Sequence, residues 1–285
     1  VDDPEAGRLQ EEELEVNRDG ARVLSRWIHR EGTDLHVLDT AGAGPPVVIL
    51  HGLAGSAREF WPTARALAPL FRVLLVDQRG HGRSTSRPAD TSREAFVADT
   101  VAVIEELADS PVRLVGHSMG AHTAMLTASA RPDLVERLTL LECHPGGDGP
   151  ETATRIGAFL ASWPVPFPSR EAARAFLGPD ALSAVWVADL VETPEGFVPR
   201  FDPAVMEATM EGLREPRWSE WEGLRVPTLA VFAEFGIFTD AQTRELTDRR
   251  PATRRADLEE EFHDAHLIPE GPWLPVLKDW LTSPL

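Results

Sequence analysis

The stretch Val112-Arg113-Leu114-Val115-Gly116-His117-Ser118-Met119-Gly120-Ala121 decides how this chain is read. An apolar run ends at Val115, a helix-forming run of small residues starts at Ala121, and Gly-x-Ser-x-Gly leaves Ser118 at the corner between them. The pattern makes mechanical sense only in that setting, where a strand turns sharply into a helix with the serine backbone strained and its hydroxyl exposed at the apex. Gly116 and Gly120 leave room for the turn. The same five letters arise by chance in Gly- and Ser-containing loops, so the flanking strand and helix signals give the motif its weight. A nucleophilic serine is the expectation for Ser118; the alternative is an ordinary strand-to-helix turn.

Outward from this corner the chain alternates. Residues 47–50 are a continuous apolar run suited to a strand buried on both faces. There follow a helix near 57–67, a strand over 73–76, a helix over 93–107, the strand 112–115, a helix over 121–130 and a strand over 138–141. This rhythm predicts a mostly parallel, doubly wound α/β sheet of about eight strands with crossover helices. It resumes with a strand over 228–232, a helix near 241–248, a weak strand near 254–258 and a final helix over 273–281. Upstream, residues 22–28 and 34–38 read as a hairpin turning at Glu31-Gly32. Residues 1–20 are charged and lack periodicity, which predicts a mobile arm. The core is therefore expected over 21–144 and 228–285. The segment 145–227, rich in Pro, Trp and Phe, interrupts it as a lid inserted between strands 6 and 7, at the carboxyl edge of the sheet.

Composition narrows the partners. The chain has 285 residues, 46 acidic against 28 basic, for a formal net charge of −18. That balance disfavours nucleic acid and anionic membrane. No stretch approaches the roughly 18 apolar residues of a membrane span, and the acidic start of the chain has no apolar leader core. The single cysteine, Cys143, excludes an intrachain disulfide and is compatible with the cytoplasm, although secreted bacterial enzymes share the trait. Cys143-His144 is a lone pair without zinc-like spacing, and the glycines at 52 and 55 lack the Lys-Ser/Thr of a phosphate loop. Neither a metal nor a cofactor is expected.

With three motifs in hand, the chain resembles the α/β-hydrolase superfamily over roughly residues 47–281: His51-Gly52-Leu53 after the third strand, Asp77-Gln78-Arg79-Gly80-His81-Gly82-Arg83-Ser84 after the fourth, and the elbow. The resemblance implies an oxyanion hole made by the amides of Leu53 and Met119, with His51 bracing the loop and His117 packed beside the elbow. It implies a structural role for the stretch from Asp77 to Ser84. It also implies a histidine base near the C-terminus, where His263-Asp264-Ala265-His266-Leu267 fits a His-x-x-His-Leu form whose first histidine is the base. His263 is thus the candidate and His266 the alternative.

The third member departs from the commonest pattern. Relatives place an aspartate after the seventh strand in a form like Gly-Glu-x-Asp, whereas this chain reads Ala233-Glu234-Phe235-Gly236. Glu142, at the end of the sixth strand, offers a carboxylate at the sheet edge that carries Ser118. Some haloalkane dehalogenases, their luciferase relatives and certain resorcylic-lactone hydrolases resemble this arrangement. Asp240 is the fallback acid, within reach if the loop shifts inward. An aspartate at the elbow would mark dehalogenases and epoxide hydrolases, and Ser118 argues against both. The total absence of tyrosine argues further against epoxide opening.

The resemblance implies hydrolysis of a carboxylic ester or lactone through an acyl-enzyme. Carbon–carbon bond hydrolysis, thioester hydrolysis and a non-hydrolytic binding role are the alternatives on the same scaffold. An aromatic lid suits a hydrophobic small-molecule substrate, because rigid rings give large contact area with few rotors to freeze. Candidate pocket residues are Phe60, Trp61, Trp163, Trp186, Phe235 and Phe238, although most lid aromatics can equally form the lid's own core. Arg200 could meet a substrate carboxylate or close a salt bridge.

Overall fold

The computed structural model describes residues 9–16, 22–268 and 270–284. Eleven strands and ten α-helices are formed among them: β1 (Leu9–Val16), β2 (Arg22–Arg30), β3 (Thr33–Asp39), β4 (Pro46–Leu50), α1 (Trp61–Leu67), β5 (Arg72–Val76), α2 (Arg93–Leu107), β6 (Val112–His117), α3 (Met119–Ala130) and β7 (Val135–Leu141). Then come α4 (Thr152–Ala161), α5 (Arg170–Leu177), α6 (Ala181–Asp189), β8 (Val191–Thr193), β9 (Gly196–Val198), α7 (Pro203–Glu211) and α8 (Trp218–Glu222). The chain closes with β10 (Thr228–Phe235), α9 (Asp240–Arg249), β11 (Arg254–Phe262) and α10 (Trp273–Thr282).

Nine strands form one sheet in the order β1-β2-β3-β5-β4-β6-β7-β10-β11. The first three pair antiparallel and β3 meets β5 antiparallel. From β5 to β11 every pair is parallel. The central strands carry nearly continuous apolar runs because both faces are covered. Val48, Leu50, Leu74, Val76 and Leu114 join α2 and α3 in one core. Their neighbours Val47, Ile49, Val73, Leu75 and Val115 join α1 and α10 in the other. The period of two along each strand sorts them.

Two expectations are refined here. The hairpin at Glu31-Gly32 forms between β2 and β3, and both residues take left-handed backbone (φ 48° and 72°), the signature of the tight turn whose twist matches its strands. The arm over 1–20 is corrected in part. Residues 9–16 are the edge strand β1, antiparallel to β2 with an irregularity between Gln10 and Glu13. Its text, LQEEELEV, carries no strict alternation; backbone pairing at a sheet edge does not require one. The rest of that arm lies outside the described residues.

Between β7 and β10 the insertion carries α4 to α8 and the hairpin β8-β9; Trp221 of α8 packs into the main core, whereas α4 to α7 and the hairpin build a small core that includes Ala54. Trp163, Phe167, Leu190, Phe201 and Met206 are buried there. Its α6 is tied to the loop after β4, where Trp186 Nε1 donates to the carbonyl of Ala54 at 2.9 Å.

Candidate active site

Ser118 sits between β6 and α3 with φ 51° and ψ −119°, a backbone state that non-glycine residues avoid. The strained turn is held on both sides. Its N–H donates to Leu141 of β7 (2.9 Å), and its carbonyl accepts from His122 one turn into α3 (3.1 Å). The two flanking glycines are required by close approach. A Cβ on Gly116 would lie 2.4 Å from the carbonyl oxygen of Gly120, and one on Gly120 would lie 2.4 Å from the carbonyl oxygens of Leu50 and His51. The start of α3 therefore presses directly on the end of β4.

One strand over, Glu142 follows β7 with φ 54° and is 1% exposed. Its Oε1 accepts from the amide of Ala233 in β10 (2.8 Å) and its Oε2 from that of Ile237 just beyond the strand (3.0 Å). The same Oε2 lies 3.1 Å from Nδ1 of His263, on the loop after β11. A carboxylate has no proton to give, so Nδ1 donates and Nε2 keeps the lone pair. Gly236, where the resemblance leads one to expect an aspartate, makes this possible: a Cβ there would stand 2.4 Å from Oε2 of Glu142.

The alternatives for base and acid lie elsewhere. His266 is buried, stacked on Phe60 at 4.2 Å, and burial pushes it down to about 3. Asp240 opens α9 with a side chain 92% exposed, 3.9 Å from Arg244.

The loop after β4 is braced as expected for His51. Its Nε2 accepts from the amide of Gln78 (3.1 Å), which leaves Nδ1–H to donate to the carbonyl of Gly52 (2.7 Å). Leu53 and Met119 both line the cavity that holds Ser118. His117 is packed beside the elbow, its Nε2 3.0 Å from the carbonyl of His263. Burial, with His266 and His263 nearby, keeps its imidazole well below its ordinary range.

The Asp77 segment is a brace. Burial works against the Asp77 carboxylate, but hydrogen bonds from His36 (2.7 Å) and the amide of Ala57 (2.7 Å) help hold it at about 2. A Cβ on Gly82 would overlap that carboxylate. Burial takes His81 down to about 3, and its Nδ1 bonds to the carbonyl of Arg79.

A cavity of about 520 Å³ opens over these groups, lined by Ser118, Glu142 and His263 and walled by the insertion. Of the six pocket residues expected from sequence, Trp186 and Phe238 line it. Four do not. Phe60 is 1% exposed and faces the core, and Trp61 packs against the same core. Trp163 is buried inside the insertion, and Phe235 points outward, 53% exposed, against Phe262. Arg200 meets Asp189 at 3.4 Å. The wall instead includes Thr152, Arg155, Ile156, Phe159 and Leu160, one stripe of α4, with Leu182, Met210, Leu213 and Ile237. The spacing 152/155/156/159/160 is a helix face and was the available signal. Cys143 also lines the cavity, and burial pushes its thiol up to about 12, away from the thiolate form.

Comparison with known proteins meets this geometry. Residues 45–172 match the family model described as alpha/beta hydrolase fold. The crystal structure of E-2-(acetamidomethylene)succinate hydrolase superposes with a TM-score of 0.84 over 92% of this chain and 100% of that one, at 24% identity. The chain has the α/β-hydrolase fold. Among curated relatives, the sn-1-specific diacylglycerol lipase ABHD11 of Mus musculus is 44% identical over 147 residues, 48% of this chain. The match spans about half of that relative's own length (47%). The 2-(acetamidomethylene)succinate hydrolase of Mesorhizobium japonicum is 27% identical over 73% of this chain and 77% of its own. No described helix is long and apolar enough to cross a membrane.

Proposed function

We propose that the protein is a serine hydrolase that cleaves a carboxylic ester or lactone of a hydrophobic small molecule through an acyl-enzyme. One observation carries the reading: the buried Glu142 carboxylate holds Nδ1 of His263 at 3.1 Å in the cavity of a serine whose backbone is strained at φ 51°. Serine is a weak nucleophile until a neighbouring base takes its proton. With Nδ1–H engaged by Glu142, Nε2 of His263 is that base. Glu142 fixes the tautomer and stabilises the imidazolium that forms, without taking a proton itself.

Ser118 Oγ attacks the acyl carbon, and the oxygen that turns negative is met by the amides of Leu53 and Met119. Fixed backbone donors stabilise it without reorganising, and losing one costs about 3 kcal/mol of transition-state stabilisation. The imidazolium returns its proton to the leaving alcohol or, for a lactone, to the ring oxygen. Water then attacks the acyl carbon as the same Nε2 takes its proton, the acyl–Oγ bond breaks to release the acid, and the imidazolium returns the proton to Ser118 Oγ. No step needs a group beyond the chain's own.

A wall of leucine, isoleucine, methionine and aromatic side chains favours an apolar acyl or alcohol portion. The mouse relative named as a diacylglycerol lipase supports an ester. The test is turnover of p-nitrophenyl esters of increasing chain length by the wild type and Ser118→Ala. Loss of turnover with the serine supports the reading, and unchanged turnover overturns it.

A further inference from the structure

Beneath the oxyanion loop lies an acid that the mechanism above does not use. Glu59 belongs to the short 3-10 turn before α1 and is 5% exposed. Its Oε1 accepts from the amide of Gly52 at 3.4 Å, and the amide of Ser56 also donates to the carboxyl. Gly55 arches over it so closely that a Cβ there would lie 2.3 Å from Oε2. One carboxyl group thus fills the inside of the loop that presents the Leu53 amide.

Its other neighbour leads to the base. Nε2 of His266 is 3.5 Å from Oε1 of Glu59, and neither nitrogen of that ring has a hydrogen-bond partner. The ring stacks on Phe60 at 4.2 Å and meets His117, tilted, at 4.3 Å. Nε2 of His117 in turn bonds to the carbonyl of His263. A continuous path of packed and hydrogen-bonded groups therefore joins the oxyanion loop to the backbone of the base.

We infer that Glu59 is a positioning residue, whose acceptor oxygen holds the oxyanion loop and, through His266 and His117, keeps it in register with the His263 loop. The inference rests on the acyl-transfer reading proposed above. Burial pushes Glu59 up to about 7 against His51 and the loop amides, while Asp77 adds to the push. Asp264 also faces it and His266 is held neutral, so the acceptor works beside an uncharged imidazole.

The decisive pair of variants separates hydrogen bonding from packing. Glu59→Met fills the volume without an acceptor, and Glu59→Gln keeps the acceptor without the acid. Loop misplacement is a kcat effect, so Glu59→Met is expected to lower kcat about 10- to 100-fold with KM within about threefold, and Glu59→Gln to stay within about threefold of wild type. Wild-type kcat in Glu59→Met, a loss confined to KM, or an equal fall in Glu59→Gln overturns the inference. His266→Phe keeps the stack on Phe60 and removes the facing nitrogen. It should lower kcat in the same direction, whereas wild-type turnover would break the path and decide the matter even if Glu59→Met did not fold. Ser118→Ala is run alongside: if it still turns over ester, the acyl-transfer reading itself has failed, and if it is inactive, the Glu59 and His266 results stand alone.

Discussion

A methyl group on Gly236 would stand 2.4 Å from Oε2 of Glu142 and 2.5 Å from Oε1. The missing side chain after β10 and the carboxylate after β7 are therefore two halves of one arrangement. Glycine leaves a space, and the glutamate arrives from the neighbouring strand to fill it. Gly236→Ala should push the carboxylate off Nδ1 of His263. Because small misplacements of reacting groups are costly, ester turnover is expected to fall about 10- to 100-fold, with the melting temperature measured in parallel to separate this from unfolding. Turnover equal to wild type would mean that Glu142 has room to spare.

The acid can be assigned by comparing two carboxylates. Glu142→Gln keeps the shape but lets the imidazole settle in the wrong tautomer, and kcat should drop on the order of 10³- to 10⁴-fold. Asp240→Asn removes a side chain that is 92% exposed at the start of a helix, so steady-state kinetics should show no change. The opposite ranking would move the acid to α9.

Stability should carry a pH signature of Glu59. Its ordinary value is 4.5, and in the fold it is about 7. Between those limits the unfolded chain has given up a proton that the native state still holds, so native stability falls as pH rises through the window and is constant above it. Glu59→Gln removes that dependence. Its advantage over wild type in urea denaturation should grow from pH 4.5 to 7 by up to about 3 kcal/mol, at roughly 1.4 kcal/mol per unit. A difference that stays flat across the window would place the ionisation elsewhere.

The insertion is pinned to the loop after β4 by Trp186 Nε1, which donates to the carbonyl of Ala54. Trp186→Phe deletes that bond and keeps most of the ring. The expected cost is about 1 kcal/mol of stability, read from the denaturation midpoint, together with weaker binding of long-chain esters, since Trp186 also lines the cavity. Unchanged KM across the ester series would remove Trp186 from the binding wall.

The sheet and its corner were legible because they obey strong local rules. Runs such as residues 47–50 suit a doubly covered strand, and the alternation around them settles the reading, while the glycines of the elbow answer close approaches of 2.4 Å. The glutamate at 142 could be reached by noticing that glycine stood where an aspartate was expected. Edge pairing and side-chain direction were not legible. The strand β1 is charged and irregular, and its pairing depends on backbone groups that every residue carries. Phe60 and Phe235 are one residue type with opposite fates, one 1% and one 53% exposed, and hydrophobicity alone could not sort them. Glu59 gave no signal because a lone acid in a polar loop is usually solvated, and only the fold shows the loop closing over it.

The most direct test is covalent labelling. Treated with a fluorophosphonate probe and analysed by mass spectrometry, the folded wild type should gain one adduct, mapped to Ser118, which is lost in Ser118→Ala, strongly slowed in Glu142→Gln and retained in Asp240→Asn. No adduct in the wild type, or labelling at a rate indifferent to Glu142, would contradict a serine activated through His263 and the carboxylate after β7.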